Sequence, residues 1–301
     1  MCYKDEYEYN LIALFVEIDD FCTKFEPLFR KFIIDNRVRR RKCSLILSEI
    51  MTIIVLFHQS GCRTFKKFYK VFAQFAIKKF FLLVSYGRFV ELMQSAIFPL
   101  FCFLQTKLGT NTGISFIDST PINVCNVRRR YSNKVFKGLA KLGKNSCGWF
   151  FGFKLHIIIN DKGEILSYTL TPGNVDDRKP VMEMTEGLIG SLFGDRGYIS
   201  SELFKKLFSK GLKLVTKLKK NMKNKLMNLS DKILLKKRGL IECVNNQLKL
   251  SSQIEHSRHR SVSNFLVNLF GGIIAYTLQK KKPSLRFSKN EFKFIDHLSV
   301  A

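Results

Sequence analysis

The chain has 301 residues, 46% of them hydrophobic, which is enough to bury a sizeable core and excludes intrinsic disorder. Lys and Arg number 51 against 24 Asp and Glu, a formal charge of +27. Such a surface repels itself unless it meets a polyanion, of which nucleic acid is the usual one and an anionic membrane the second.

The eight cysteines are scattered singly with no CxxC pair or Cys/His cluster, which argues against zinc and, at this size, against a disulfide framework. The opening CYKDEYEYN is charged and polar, and the apolar FLVNLFGGIIAYTL (265–278) is shorter than the ~20 residues that span a bilayer. The expectation is a soluble cytoplasmic protein with free thiols and no membrane partner.

Residues 10–110 read as helical. LILSEIMTIIVLFHQ (45–59) has apolar residues at helical spacing and is stopped by Ser60-Gly61. The stretches 65–81 and 88–104 follow, the first alternating aromatic and basic residues. Two helices around a short Gly-containing turn fit a helix-turn-helix, with a bundle carrying a basic outer face as the alternative.

Near residue 110 the period changes. GISFID (113–118) reads as a strand, then 148–160 and 164–172 as a hairpin around Asp161-Lys162-Gly163. A short helix over 181–190, the strand SLFGD (191–195), a helix over 201–211, the strand 212–218 and helices over 231–250 and 262–278 complete an α/β layer with one mixed sheet. Between the first strand and the hairpin, 127–148 is basic with interleaved aromatics, and reads as a mobile arm gripping phosphates through Arg128, Arg129, Arg130, Lys134 and Lys137.

Asp118 and Asp195 each end a predicted strand, and neighbouring strands would deliver both carboxylates to one sheet edge, where α/β ligand sites lie. Two anions ~4 Å apart repel by roughly 4 kcal/mol at an effective dielectric of 20, so a proton or a cation must relieve them. Hard oxygen donors without Cys or His suit Mg²⁺ or Mn²⁺. A third acid is available in KKRGLIECVNNQLK (236–249), where Arg238, Glu242 and Lys249 share one helical stripe opposite Leu240, Ile241, Val244 and Leu248. An Arg/Glu pair four apart is also an everyday surface salt bridge.

These residues, together with GISFIDSTPI, KVFKGLA, GWFFGFKLH, LTPGNVDDRKP, GDRGYIS, KNMKNKLM and QIEHSRHRS, resemble the DDE transposases of bacterial insertion sequences, in particular the insertion sequence 982 family. The resemblance covers nearly the whole chain. It implies an RNase H-like mixed five-stranded sheet flanked by helices and preceded by an all-helical N-terminal region. The implied division is a DNA-binding region over 1–110, a catalytic domain over 111–283 and a tail over 284–301. It further implies Asp118, Asp195 and Glu242 as the ligands of two Mg²⁺ or Mn²⁺ ions, and Arg238 and Lys249 as phosphate contacts. The family signature has a tyrosine where this chain has Leu235.

The implied activity is metal-dependent cleavage of double-stranded DNA at terminal inverted repeats, followed by strand transfer into target DNA by a homo-oligomer. The alternatives are an RNase H-like nuclease without strand transfer and a catalytically decayed DNA-binding remnant. Elsewhere, Asp176 and Asp177 read as helix caps. His256 and His259, with Arg258 and Arg260 alongside, read as DNA-phosphate contacts or a solvated cap. Trp149 and the phenylalanines after it read as strand core, and His156 as a satisfied strand residue.

Overall fold

The computed structural model describes residues 3–32, 43–217, 227–255, 259–288 and 291. Helices α1 (Tyr3–Phe32), α2 (Leu47–Gln59), α3 (Phe65–Lys67), α4 (Ala73–Ala76), α5 (Tyr86–Met93) and α6 (Ile97–Thr106) come first. Strands β1 (Ile114–Cys125), β2 (Lys141–Asn145), β3 (Gly148–Asn160) and β4 (Ile165–Pro172) follow. The rest runs α7 (Val181–Met184), β5 (Gly190–Gly194), α8 (Ser201–Phe208), β6 (Leu212–Thr216), α9 (Leu229–Lys236), α10 (Gly239–Leu250) and α11 (Val262–Thr277). The chain forms two compact units, one of Met1–Lys107, Leu248–Ile254 and His259–Leu278, the other of Leu108–Gln247, Glu255–Arg258 and Gln279–Ala301.

The first unit is all helix. Its centre is α2, apolar on every side, with Met51, Ile53, Ile54 and Val55 fully buried. Glu49 secures the first turn by accepting from the Ile46 amide at 2.9 Å. The helix expected over 65–81 is broken by a π-turn at Phe68–Phe72, with Phe68, Tyr69 and Ala73 buried, and α4 ends at Ala76. Arg63, Lys66, Lys67 and Lys70 are exposed along this segment, giving the basic outer face.

Helix α11, placed by sequence in the domain 111–283, packs instead on α2 and α6. Two glycines permit the approach: a Cβ on Gly271 would lie 2.7 Å from Ile54, and one on Gly272 2.5 Å from Ile254. By length and composition the continuous helical run Tyr86–Thr106 could cross a bilayer, yet its Phe89, Met93, Leu100, Phe103 and Leu104 are buried within this unit.

The second unit is built on one mixed sheet in the order β2-β3-β1-β5-β6, with β4 beside β3. Strand β3 lies antiparallel to β1 along one edge, while β2 and β4 share its other edge, pairing with 148–152 and 153–159 in turn. Strands β5 and β6 extend the sheet parallel to β1. The strands other than β2 give the RNase H-like arrangement, three antiparallel strands followed by two parallel ones. The sheet has six strands rather than five, because Lys141–Asn145, expected in a mobile arm, is paired with β3. Phe136 and Ala140 are also buried, with the Phe136 ring 5.8 Å from that of Phe153, so the stretch 127–148 is anchored rather than free.

One sheet face carries Ile117, Ile158, Leu192 and Leu214, packed against Val181 and Met184 of α7 and Leu203 and Leu207 of α8. Burying an aliphatic side chain of this size contributes about 1.5–3 kcal/mol, and this layer fixes the sheet on which the site is carried. Helix α9 is held to the sheet by Lys213 Nζ donating to Asp231 Oδ2 at 2.5 Å. The helix expected over 231–250 is two helices, α9 and α10, divided by a turn at Lys237-Arg238 before Gly239. Trp149 is not core: it is 60% exposed, because β1 ends at Cys125 opposite Phe151 and leaves the start of β3 uncovered on that side.

Candidate active site

Asp118 does not end a strand, as its sequence context suggests. Strand β1 continues to Cys125 along β3, and Asp118 pairs there with Ile157. The parallel partner leaves first: the last β1–β5 pair is Phe116↔Phe193, whose rings lie 5.5 Å apart. Asp118 and Asp195 each follow that pair by two residues. They therefore stand at the same level of the sheet and, by the period of two, on the same face as the two rings. What places the acids together is the divergence of β5 from β1.

The GDRGY sequence has a local reason. Asp195 Oδ1 accepts from the Gly197 amide at 2.8 Å and opens the 3-10 turn Arg196–Tyr198. A Cβ on Gly197 would lie 2.9 Å from that oxygen. The turn buries Tyr198 against Gly194, where a Cβ would lie 3.0 Å from its ring. Burial, and the charges of Asp118, Asp177 and Asp195, hold the Tyr198 phenol well above its ordinary value.

Helix α10 supplies the rest. Arg238, in the turn before it, donates from Nη2 to Glu242 Oε1 at 2.5 Å, and its Nη1 lies 3.9 Å from Asp118 Oδ1. Asn245, one turn after Glu242, donates from Nδ2 to Asp118 Oδ2 at 3.3 Å, while its own buried Oδ1 has no partner. Burial raises the Asp118 carboxyl to about 6; Arg238 and the Ser119 amide draw it down, and Asp195 and Glu242 push it further up. Asp118 thus senses the charge of both other acids.

They do not form a finished cage: among the described residues, no three His, Cys, Asp or Glu side chains stand together as an ion would require. Arg238 lies between Asp118 and Glu242 and is the countercharge in this arrangement. The donor set is all oxygen and carries more negative charge than one guanidinium balances, which suits a hard divalent cation.

The other residues named from sequence fall into three places. Lys249 lies seven residues beyond Glu242 in α10, about two turns on. Arg128, Arg129, Lys134 and Lys137 are exposed beyond the end of β1, and Arg130 is half-buried there. Arg260 is exposed in the first unit, next to Ser261, which caps α11 by accepting from the Asn264 amide at 3.1 Å. His259 packs edge-on against Phe265, whereas Arg258 and His256 lie outside the described residues. Leu235 is buried in α9, so the place of the family's tyrosine is a packing position here.

Neither Asp176 nor Asp177 caps a helix, for α7 is capped by Pro180 without a side-chain bond. Asp176 closes a turn on the Arg178 amide at 2.9 Å and binds its guanidinium. Asp177 takes the Lys154 ammonium at 2.9 Å and lies 3.9 Å from Nδ1 of the fully buried His156. Lys154 and Asn245 are the members of the neighbourhood not named from the sequence, although Asn245, three residues after Glu242, lies one helical turn along from it.

Residues 108–262 match the family described as Transposase DDE domain, just over half of the chain. The chain belongs to the DDE transposases. No curated protein matches it. Among solved structures, the cryo-EM structure of a piggyBac transposase synaptic complex with hairpin DNA is similar, at 10% identity and a TM-score of 0.43, over 95% of this chain and 77% of that one. So distant a likeness carries no inference about this transposase.

Proposed function

We propose that this transposase belongs to the insertion sequence 982 group, cuts DNA at the terminal inverted repeats of its element, and joins the freed 3′ ends to target DNA. The supporting observation is the level placement of Asp118 and Asp195 past the Phe116–Phe193 pair, with Glu242 close enough for Asp118 to feel its charge. Asp118, Asp195 and Glu242 would hold two Mg²⁺ or Mn²⁺ ions. Bound there, the ions would neutralise charge on the attacking and leaving oxygens and lower the pKa of water.

The protein's own contribution is positioning. The Gly197 amide fixes the Asp195 carboxylate, and Asn245 fixes that of Asp118. Arg238, released from the two acids, would turn to the phosphate, with Lys249 farther along the helix. Arg128, Arg129, Arg130, Lys134, Lys137, Arg258 and Arg260 would grip the backbone of double-stranded DNA. The helical unit, with its exposed Arg63, Lys66, Lys67 and Lys70, would read the element ends. Cutting two ends in concert requires a homo-oligomer, acting in the cytoplasm on the nucleoid.

The test is incubation with Mg²⁺ and DNA carrying the element's ends, resolving cleaved from joined product. Joined product is expected. Asp195→Ala should abolish cleavage and joining while DNA binding survives. Cleaved ends alone would leave a nuclease, and DNA binding with no cleavage by the unmutated chain would leave a decayed remnant. Binding should weaken with salt at a log–log slope near −0.9 per phosphate neutralised.

A further inference from the structure

Two exposed aromatic rings at one end of the sheet are unused by the site described above. Trp149, the chain's single tryptophan, is 60% exposed, with Lys144 Nζ 5.4 Å from its ring across the β2–β3 pair. Tyr131 is 86% exposed, with the Arg130 guanidinium 4.4 Å from its ring and donating to its hydroxyl at 2.7 Å. They share an end of the fold: β1 finishes at Cys125 opposite Phe151, two residues from Trp149, and from there the chain leaves toward Tyr131.

A large ring left in solvent forfeits the burial that stabilises the phenylalanines of this sheet. A cation over each ring adds attraction for phosphate at the same place. This pairing suits single-stranded nucleic acid, whose bases expose faces that stack while the backbone meets the cations. Intact duplex keeps its bases stacked on one another and has no face to offer.

We propose that Trp149 and Tyr131, with Lys144 and Arg130, form a stacking platform for unpaired bases of DNA. The proposal deepens the transposase reading, on which its biological context rests. Trp149 lies eight residues along β3 from Ile157, the partner of Asp118, or roughly 26 Å at 3.3 Å per residue. At 3.4 Å per base step that is about eight nucleotides from the acids. The platform therefore holds DNA that has come apart away from the cut, and does not grip the base at the scissile phosphate.

The tryptophan is its own reporter. Single-stranded dT20 should quench Trp149 fluorescence at concentrations where anisotropy of labelled oligonucleotide shows the protein saturated; a blunt 20-base-pair duplex should leave it largely unquenched. Trp149→Ala and Tyr131→Ala should each weaken dT20 binding by roughly 5- to 150-fold, the range of one lost base stack, with duplex binding within twofold. Both side chains are exposed, so circular dichroism should match the unmutated chain.

Absence of quenching at saturation overturns the proposal, as does unchanged dT20 affinity in either variant or an equal loss for duplex. The transposase reading fails separately. If Asp195→Ala left cleavage unchanged while dT20 still quenched Trp149, the platform would stand and the catalytic assignment would fall.

Discussion

Asp118 should weaken the fold it serves. Its carboxyl rises from an ordinary 3.8 to about 6, with burial as the largest cause. A native state that holds its proton more tightly than the unfolded chain loses stability as pH climbs from 3.8 through 6, because the native state binds more protons in that interval. At 1.36 kcal/mol per pH unit, the ionised form costs about 3 kcal/mol at pH 7.5. Asp118→Asn keeps the shape and the acceptor for Asn245 and removes the charge. It should therefore stabilise the second unit by about 3 kcal/mol at pH 7.5 in the presence of a chelator. Urea unfolding followed by Trp149 fluorescence reads this unit, and with m near 2 kcal/mol/M the midpoint should rise by about 1.5 M. The gap should shrink as pH falls from 7 toward 4. Saturating Mg²⁺ should then raise the midpoint of the unmutated chain and leave the variant where it was. An Asp118→Asn protein less stable than its parent at pH 7.5, or a gap that ignores pH, would refute the reasoning.

Three other outcomes follow from named contacts. Gly197→Ala places a Cβ 2.9 Å from Asp195 Oδ1 and should reduce DNA cleavage at least tenfold in a gel assay, with the thermal midpoint changed by only a few degrees. Asp177→Ala strands the largely buried Lys154 ammonium. The cost should be about 2 kcal/mol in urea unfolding, below the 3–5 of a fully buried pair, because the Val175 carbonyl still accepts from Lys154 at 2.9 Å. His58, fully buried and hydrogen-bonded to the Ser252 carbonyl, is pushed down to about 4 by burial. Its contribution is present above pH 6.5 and is lost as pH falls toward 4, by about 3 kcal/mol at most. Amide exchange in α2 and α11, corrected for intrinsic rates, should quicken by about two orders of magnitude across that window.

Much of the second unit is legible because its strands announce themselves. GWFFGFKLHIIIN is a nearly continuous apolar run, EILSYTLTP alternates apolar and polar residues over most of its length, a tight Asp-Lys-Gly turn joins them, and both are strands. Lys141–Asn145 was not legible, since Lys-Leu-Gly-Lys-Asn has no apolar alternation, and its strand character comes wholly from the free edge of β3. The placement of α11 was hidden for a related reason. An apolar helix shows that it is buried, not against what, and the Gly271-Gly272 notch that fits it to Ile54 and Ile254 has meaning only beside α2. At the site, spacing singles out the acids as candidates but does not give the strand geometry that carries Asp118. The strand expected to end at Asp118 is carried seven residues further by its pairing with β3.

The mid-strand position of Asp118 sets how the proposed ions would have to enter. A carboxylate at a strand tip could relax into water; one in mid-strand, pinned by the register with Ile157 and by Asn245, cannot. The repulsion among Asp118, Asp195 and Glu242 must then be met by whatever cation is within reach, and in the metal-free chain that is Arg238. A guanidinium satisfies two carboxylates at once through its planar fork, while a Lys in its place could serve only one well. Arg238→Lys should therefore leave the metal-free second unit less stable at neutral pH, by about 1 kcal/mol in urea unfolding, yet tighten Mg²⁺ binding, since a weaker incumbent is displaced more easily. If instead Arg238→Lys bound Mg²⁺ more weakly, the arginine would be supporting the ligands rather than holding their place, and the competition inferred from its position between Asp118 and Glu242 would be wrong.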